Sequence, residues 1–180
     1  MKITKDSVLD AVASLMRQRF NVEAERNKSF VWSLPSGVIL SKAKDLPSNY
    51  TVVADLYLQP PLHCLVQFDD TSHCTRQRAA TFANYPSDTP LNFDVRRYHA
   101  DQTSGEAAIA QADLLADLLP PKHGLNPTVR IRADEIEELT GPLPDRIESL
   151  LSKRFAYHAG TTFHLMVDNA GAKPHRTHGS

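Results

Sequence analysis

Two adjacent prolines, Pro60 and Pro61, separate two apolar runs in TVVADLYLQPPLHCLVQFDD, residues 51–70. A proline has no N–H to give to a strand ladder, so neither can sit inside a paired strand. The runs on either side are therefore two strands, 51–58 and 63–69, joined by Gln59-Pro60-Pro61-Leu62 into an antiparallel hairpin. Side chains alternate along a strand. Val52, Ala54, Leu56 and Leu58 share one face of the first strand; Val53, Asp55 and Tyr57 share the other. On the second, Cys64, Val66 and Phe68 share one face, and Leu65, Gln67 and Asp69 the other. If both apolar faces cover one core, Asp55, Gln67 and Asp69 emerge together on the opposite face, with Asp55 roughly opposite Val66–Gln67. Aspartate is disfavoured in strands, so its presence calls for a reason.

The elements around the hairpin follow from periodicity. KDSVLDAVASLMRQRF (5–20) carries Val8, Val12, Leu15 and Met16 at helical spacing, with Asp6 or Ser7 as a cap. SFVWSLPSGVILSK (29–42) reads as two short strands about a Pro35-Ser36-Gly37 turn. A helix is expected over 75–84 before Pro86, and another over 106–120, halted by Pro120-Pro121. NPTVRIRA (126–133) is a strand in which Val129 and Ile131 alternate with Arg130 and Arg132. A short helix capped by Asp134 and stopped by Gly141, a helix over 144–158 and a strand over 161–167 complete the order. This is one mixed α/β (α+β) domain over 1–168, with a central sheet, an irregular insertion at about 87–125 and a disordered tail, 169–180.

Charge excludes little. Twenty Lys+Arg against 21 Asp+Glu give a net charge of −1, which does not advertise a polyanion partner yet leaves room for a local basic face. Cys64 and Cys74 form no CxxC pair or zinc-type quartet and read as free thiols of a reducing, cytoplasmic compartment. No apolar run approaches the ~18 residues of a membrane span, and the acid-bearing N-terminus is not a secretory signal.

The layout of residues 55–78 resembles the PD-(D/E)XK restriction-endonuclease-like superfamily, in the branch similar to very short patch repair endonucleases. TVVADLYL supplies the first-strand acid, and LVQFDDTSHCTRQR follows the pattern of apolar run, acid, spacer, Asp, His and arginine-bearing helix. The likeness covers roughly 5–85 and 126–133. It implies a divalent-metal-dependent nuclease acting on DNA, with Mg2+ (or Mn2+) as cofactor, and with a homodimer as one arrangement for cutting two strands. Two departures stand out: Gln67 replaces the expected acid, by natural drift or by a deliberate change, and Asp69 stands where the superfamily's lysine would be.

Such a site needs oxygen ligands that hold the metal and leave positions open to water and substrate. Asp55 and Asp69 are the expected ligands, with the Gln67 carbonyl as a weaker third. His73 suits a general base or leaving-group acid. Arg76 and Arg78 on the helix, and Arg96 and Arg97 in the RRYH stretch, suit phosphate contacts. Each residue also has a plain reading: an exposed strand Asp or Gln, a turn at Asp69-Asp70, a loop histidine, solvated arginines. The competing function is a catalytically inactive nuclease-like module that binds nucleic acid or a protein partner.

Overall fold

The computed structural model describes residues 3–33, 49–99 and 104–156. The turn at 35–37 with its second strand, the strand candidate at 161–167 and the tail at 169–180 lie outside the described residues. In chain order the elements are α1 (Lys5–Phe20), β1 (Ala24–Ser33), β2 (Asn49–Leu58), β3 (Cys64–Asp69), α2 (Arg76–Thr81), α3 (Ala107–Lys122), β4 (Asn126–Arg132), α4 (Ala133–Glu137) and α5 (Leu143–Ala156), with 3-10 turns at Phe82–Asn84 and Val95–His99.

The four strands form one sheet in the order β1-β2-β3-β4. β1–β2 and β2–β3 are antiparallel, the second pair being the hairpin about Pro60-Pro61; β3–β4 is parallel. A parallel pair requires a long crossover. Here α2 and α3 supply it, so α3, inside the stretch read as an insertion, covers one face of the sheet. The architecture is thus the expected α+β domain: a central mixed sheet, an antiparallel hairpin and flanking helices.

Both faces of the sheet are buried over β3, β4 and the second half of β2, whereas Val31 of β1 and Val53 of β2 are exposed. On one, Leu56, Leu58, Cys64, Val66, Phe68, Val129 and Ile131 pack with Val8, Leu9, Val12 and Met16 of α1 and with Ile147, Leu150 and Leu151 of α5. On the other, Tyr50, Val52, Ala54, Tyr57 and Leu65 pack with Leu115, Ala116 and Leu119 of α3. Each of these leucines contributes about 1.5–3 kcal/mol by leaving water. The face opposite the first core is therefore a second core.

Three details correct the sequence reading. Helix α1 is capped by Thr4, whose hydroxyl accepts from the Ser7 N–H in a capping box, rather than by Asp6 or Ser7. Alternation in β2 breaks at Asp55: Ala54 joins one core and Leu56 the other. Opposite this break the β1 ladder skips Asn27, which takes φ 52°, a left-handed conformation asparagine tolerates. Helix α3 runs through Pro120 and Pro121 to Lys122. Pro120 cannot donate to the Ala116 carbonyl one turn back; the Thr128 hydroxyl of β4 donates to that carbonyl instead.

Candidate metal centre

Asp69 ends β3 with its side chain fully buried. One carboxylate oxygen accepts from the Tyr98 hydroxyl, and the other from Arg130 Nη1 at 2.7 Å. Arg130 lies on β4, where the parallel register sets Asp69 beside Arg132 and Gln67 beside Arg130. Its Nη1 also reaches Asp113 Oδ1 at 3.1 Å, and its Nε reaches Asp117 Oδ1 at 2.7 Å. Asp113 and Asp117 are one turn apart on α3, so a single helix face presents both. Asp117 takes Arg78 on its other oxygen, together with the Tyr85 hydroxyl at 2.6 Å. His73, between β3 and α2, sets Nδ1 2.9 Å from Asp113 Oδ2 and 3.8 Å from Asp69 Oδ1.

Three carboxylates, two guanidiniums and one imidazole thus share a buried pocket of charge. With all three carboxylates ionised and no proton on His73 the group carries one net negative charge; with that proton the charges balance. The titration tendencies follow. Burial alone would lower the His73 pKa, but the Asp113 hydrogen bond and the charges of Asp113 and Asp69 raise it above its ordinary value. Burial would raise Asp113, yet Arg130 and His73 hold it down at about 2. Asp69, fully buried and beside Asp113, is pushed up despite Arg130.

Asp69, His73 and Asp113 place one ligand atom each within 4.8 Å of one another, a spacing that suits a divalent metal ion. An imidazole with two carboxylates suits an ion that accepts nitrogen beside oxygen, as Mn2+ does more readily than Mg2+. The fit has a cost: Arg130 already bonds the two carboxylates an ion would use. Asp69 also walls a cleft of about 390 Å3 at the carboxyl ends of β3 and β4, with Asp70, Thr71, Cys74, Arg132 and Asp134. Ligands of α/β sheets favour that end of the strands. In its wall Arg132 grips Asp134 through Nε and Nη2, while its buried Nη1 has no hydrogen-bond partner among the described residues.

Of the other expected site residues, Arg78 belongs to this cluster through Asp117, while Asp55, Gln67, Arg96 and Arg97 have partners elsewhere. Beyond Leu56–Val66 the β2–β3 ladder is continued by side chains. Asp55 accepts the Phe68 N–H at 2.9 Å, and Gln67 donates to the Val53 carbonyl at 2.8 Å. Asp55 is further paired with Lys5 of α1 at 2.6 Å. Asp55 and Gln67 therefore meet each other, while Asp69 joins Arg130, Asp113 and His73. Arg76 is exposed at the start of α2, but Arg78 is fully buried, its guanidinium 4.5 Å from the Phe82 ring. Arg96 lies at the surface on Asp94 at 2.8 Å; Arg97 grips Glu138 at 2.9 Å, beside the acidic α4. Asp70 closes the turn into α2 by accepting from Ser72.

Sequence reasoning missed Asp113, Asp117 and Tyr98. A signal existed: two acids one turn apart inside the apolar run ADLLADLL demand buried cations, and Arg130 alternates with Val129 and Ile131 on a core strand.

Searches against protein-family models, curated proteins and solved structures found no match to this chain. Among the described residues no helix is long and apolar enough to cross a membrane.

Proposed function

We propose that the protein is a divalent-metal-dependent nuclease of the restriction-endonuclease-like class that acts on DNA. The observation that carries this reading is the Asp69–His73–Asp113 cluster at the carboxyl end of β3. A mixed α/β fold with such a triad is consistent with a nuclease-like superfamily in general, and the resemblance of LVQFDDTSHCTRQR points to the very short patch repair branch.

In this reading Asp69, His73 and Asp113 hold the ion. When bound, it supplies Lewis-acid activation of water and neutralises charge developing on phosphate. The chain's own groups do the rest. His73 gives up the proton it shares with Asp113. A rotation of Arg132 in the wall of the adjoining cleft brings its buried Nη1, without a hydrogen-bond partner among the described residues, to a phosphate oxygen. Tyr98 orients the Asp69 carboxylate through its second oxygen.

One observation favours the second reading, a nuclease-like module without catalysis that binds nucleic acid or a protein: Arg130 already neutralises both carboxylates at 2.7 and 3.1 Å. The two separate in one experiment. Mn2+ binding is followed by calorimetry, and cleavage of plasmid and single-stranded DNA is assayed with Mn2+ or Mg2+, for the protein and its Asp113→Asn variant. The nuclease reading expects one bound ion, DNA cutting, and about a tenfold or greater loss of both in the variant. Absence of both ion binding and cutting sinks it; DNA bound equally well in EDTA and by the variant supports the module.

A further inference from the structure

The loop carrying Asn92 to Arg96 and the last turns of α5 enclose a second cavity, of about 410 Å3. Its wall includes Asn92, Phe93, Asp94, Arg96, Lys153 and Arg154, none of which lines the Asp69 cleft. Asn92 is held in place because its backbone bridges to Val129 of β4. The residue is 2% exposed, and its Oδ1 has no hydrogen-bond partner among the described residues. Arg154 Nε is buried in the same condition, although Nη2 of that side chain holds Glu135 at 2.5 and 2.6 Å.

A buried carbonyl oxygen without a partner asks for an N–H donor; a guanidinium N–H asks for an anion. The charges at the mouth reinforce the second demand. Arg96 and Lys153 are exposed there, and Asp94, which pairs with Arg96, is the one acid among the described lining residues. Phe93 adds a half-buried aromatic ring. An occupant that answers all of these is anionic at one end, carries N–H donors at the other and has a flat apolar body. The volume lies in the range of about 300–1,000 Å3 typical of small-molecule sites.

We infer that this cavity binds a nucleotide: its phosphate lies against Lys153, Arg96 and the Arg154 Nε, and an amino group of its base meets the Asn92 Oδ1. Asn92 Oδ1 and Arg154 Nε lie just beneath the wall, out of contact with water, so small side-chain rotations accompany entry. The Phe93 ring stands 5.4 Å from that of Tyr98 and 5.8 Å from the Arg130 guanidinium. Phe93 thus stands between the cavity and the ionic cluster. The inference rests on the cavity and not on metal binding or DNA cleavage.

The same chemistry is offered by a free mononucleotide and by one nucleotide of a DNA strand, and the test separates them. Calorimetry in EDTA is run with dAMP, its analogue lacking the 6-amino group, deoxyadenosine, inorganic phosphate and a 5′-phosphorylated tetradeoxyadenylate. The expected result is dAMP binding about tenfold or more tighter than deoxyadenosine, phosphate or the deaminated analogue, an amount one good hydrogen bond or ion pair supplies. Lys153→Glu, at an exposed position, weakens dAMP about tenfold while leaving the melting temperature in place. Equal affinity for dAMP and the tetranucleotide assigns a free nucleotide; a tetranucleotide preference assigns a strand. Binding of dAMP no tighter than phosphate, or unchanged in Lys153→Glu, overturns the inference. Equal binding of the deaminated analogue overturns the Asn92 contact.

Discussion

Placing at position 67 the glutamate that the nuclease resemblance leads one to expect is a severe test of what Asp55 and Gln67 do. The Gln67 amide donates to the Val53 carbonyl at 2.8 Å, and its oxygen stands 3.4 Å from the Asp55 N–H as a longer acceptor. A glutamate keeps the acceptor and loses the donor. That removes one part-exposed hydrogen bond, worth about 0.5–1.5 kcal/mol. It also sets a second carboxylate beside Asp55, across the strand pair. Cross-strand neighbours stand about 5 Å apart, and like charges set opposite each other cost up to about 1 kcal/mol, partly offset here by Lys5 at 2.6 Å from Asp55. Gln67→Glu should therefore lose about 1–2 kcal/mol at pH 7 in EDTA, or about 2–8 °C in melting temperature for a chain of this size. Urea denaturation measures the loss. Repeating it near pH 4, where the new carboxyl regains a proton to donate, should shrink it. An unchanged or more stable variant in EDTA would refute the side-chain ladder. A variant whose stability Mn2+ restores, where the parent gains nothing from Mn2+, would move the metal ligands to Asp55 and position 67.

The buried charges make further predictions. The raised His73 pKa gives stability that is complete below the unfolded value of about 6.5 and is lost as pH rises through the folded value; urea midpoints from pH 5 to 9 should fall over that window in the protein and stay flat in His73→Gln. Asp113, held at about 2, contributes stability present above the unfolded carboxylate value and lost as pH falls toward 2; urea midpoints extended from pH 5 down to pH 2 should fall in the protein, and Asp113→Asn should flatten that acid limb. Asp117→Asn takes the balancing charge from both Arg78 and Arg130 and should cost about 3–5 kcal/mol in urea. A Cβ on Gly105 would stand 2.4–2.6 Å from Thr75, the cap of α2, so Gly105→Ala should lower the melting temperature by several degrees, and a neutral result would show that α2 can shift.

The hairpin was legible because proline chemistry and alternation are local rules. They place β2 and β3 within two residues of their observed bounds. The same rules misplace the acids, because alternation assumes one buried face and an unbroken strand. Here α3 buries the second face, and β2 breaks its alternation at Asp55. The end of α3 was misread for a related reason: the Ala116 carbonyl freed by Pro120 is met by Thr128, which is close only once β4 is in place. Arg78 and Asp117 lie 39 positions apart, and Asp69 and Arg130 lie 61 apart. No local pattern names such partners. What the chain does reveal locally is a demand: acids among leucines and arginines between β-branched residues have to find one another.

That demand also bears on how an ion enters. The cluster of Asp69, Asp113, Asp117, Arg78, Arg130 and His73 is one positive charge short unless His73 is protonated, and a metal ion competes with that proton for the place. Ion binding by His73 therefore releases a proton, so affinity should rise as pH climbs past the raised His73 pKa. It also has to draw Asp69 and Asp113 partly away from Arg130, whose fully buried guanidinium still keeps Asp117 at 2.7 Å and the Asp113 carbonyl at 3.0 Å. These remaining contacts let Arg130 yield two carboxylate oxygens without becoming an unpaired buried cation, an outcome that would otherwise cost several kcal/mol. An ion held by Asp69, His73 and Asp113 would thus take the place of the His73 proton, and pH would set which of the two the cluster carries.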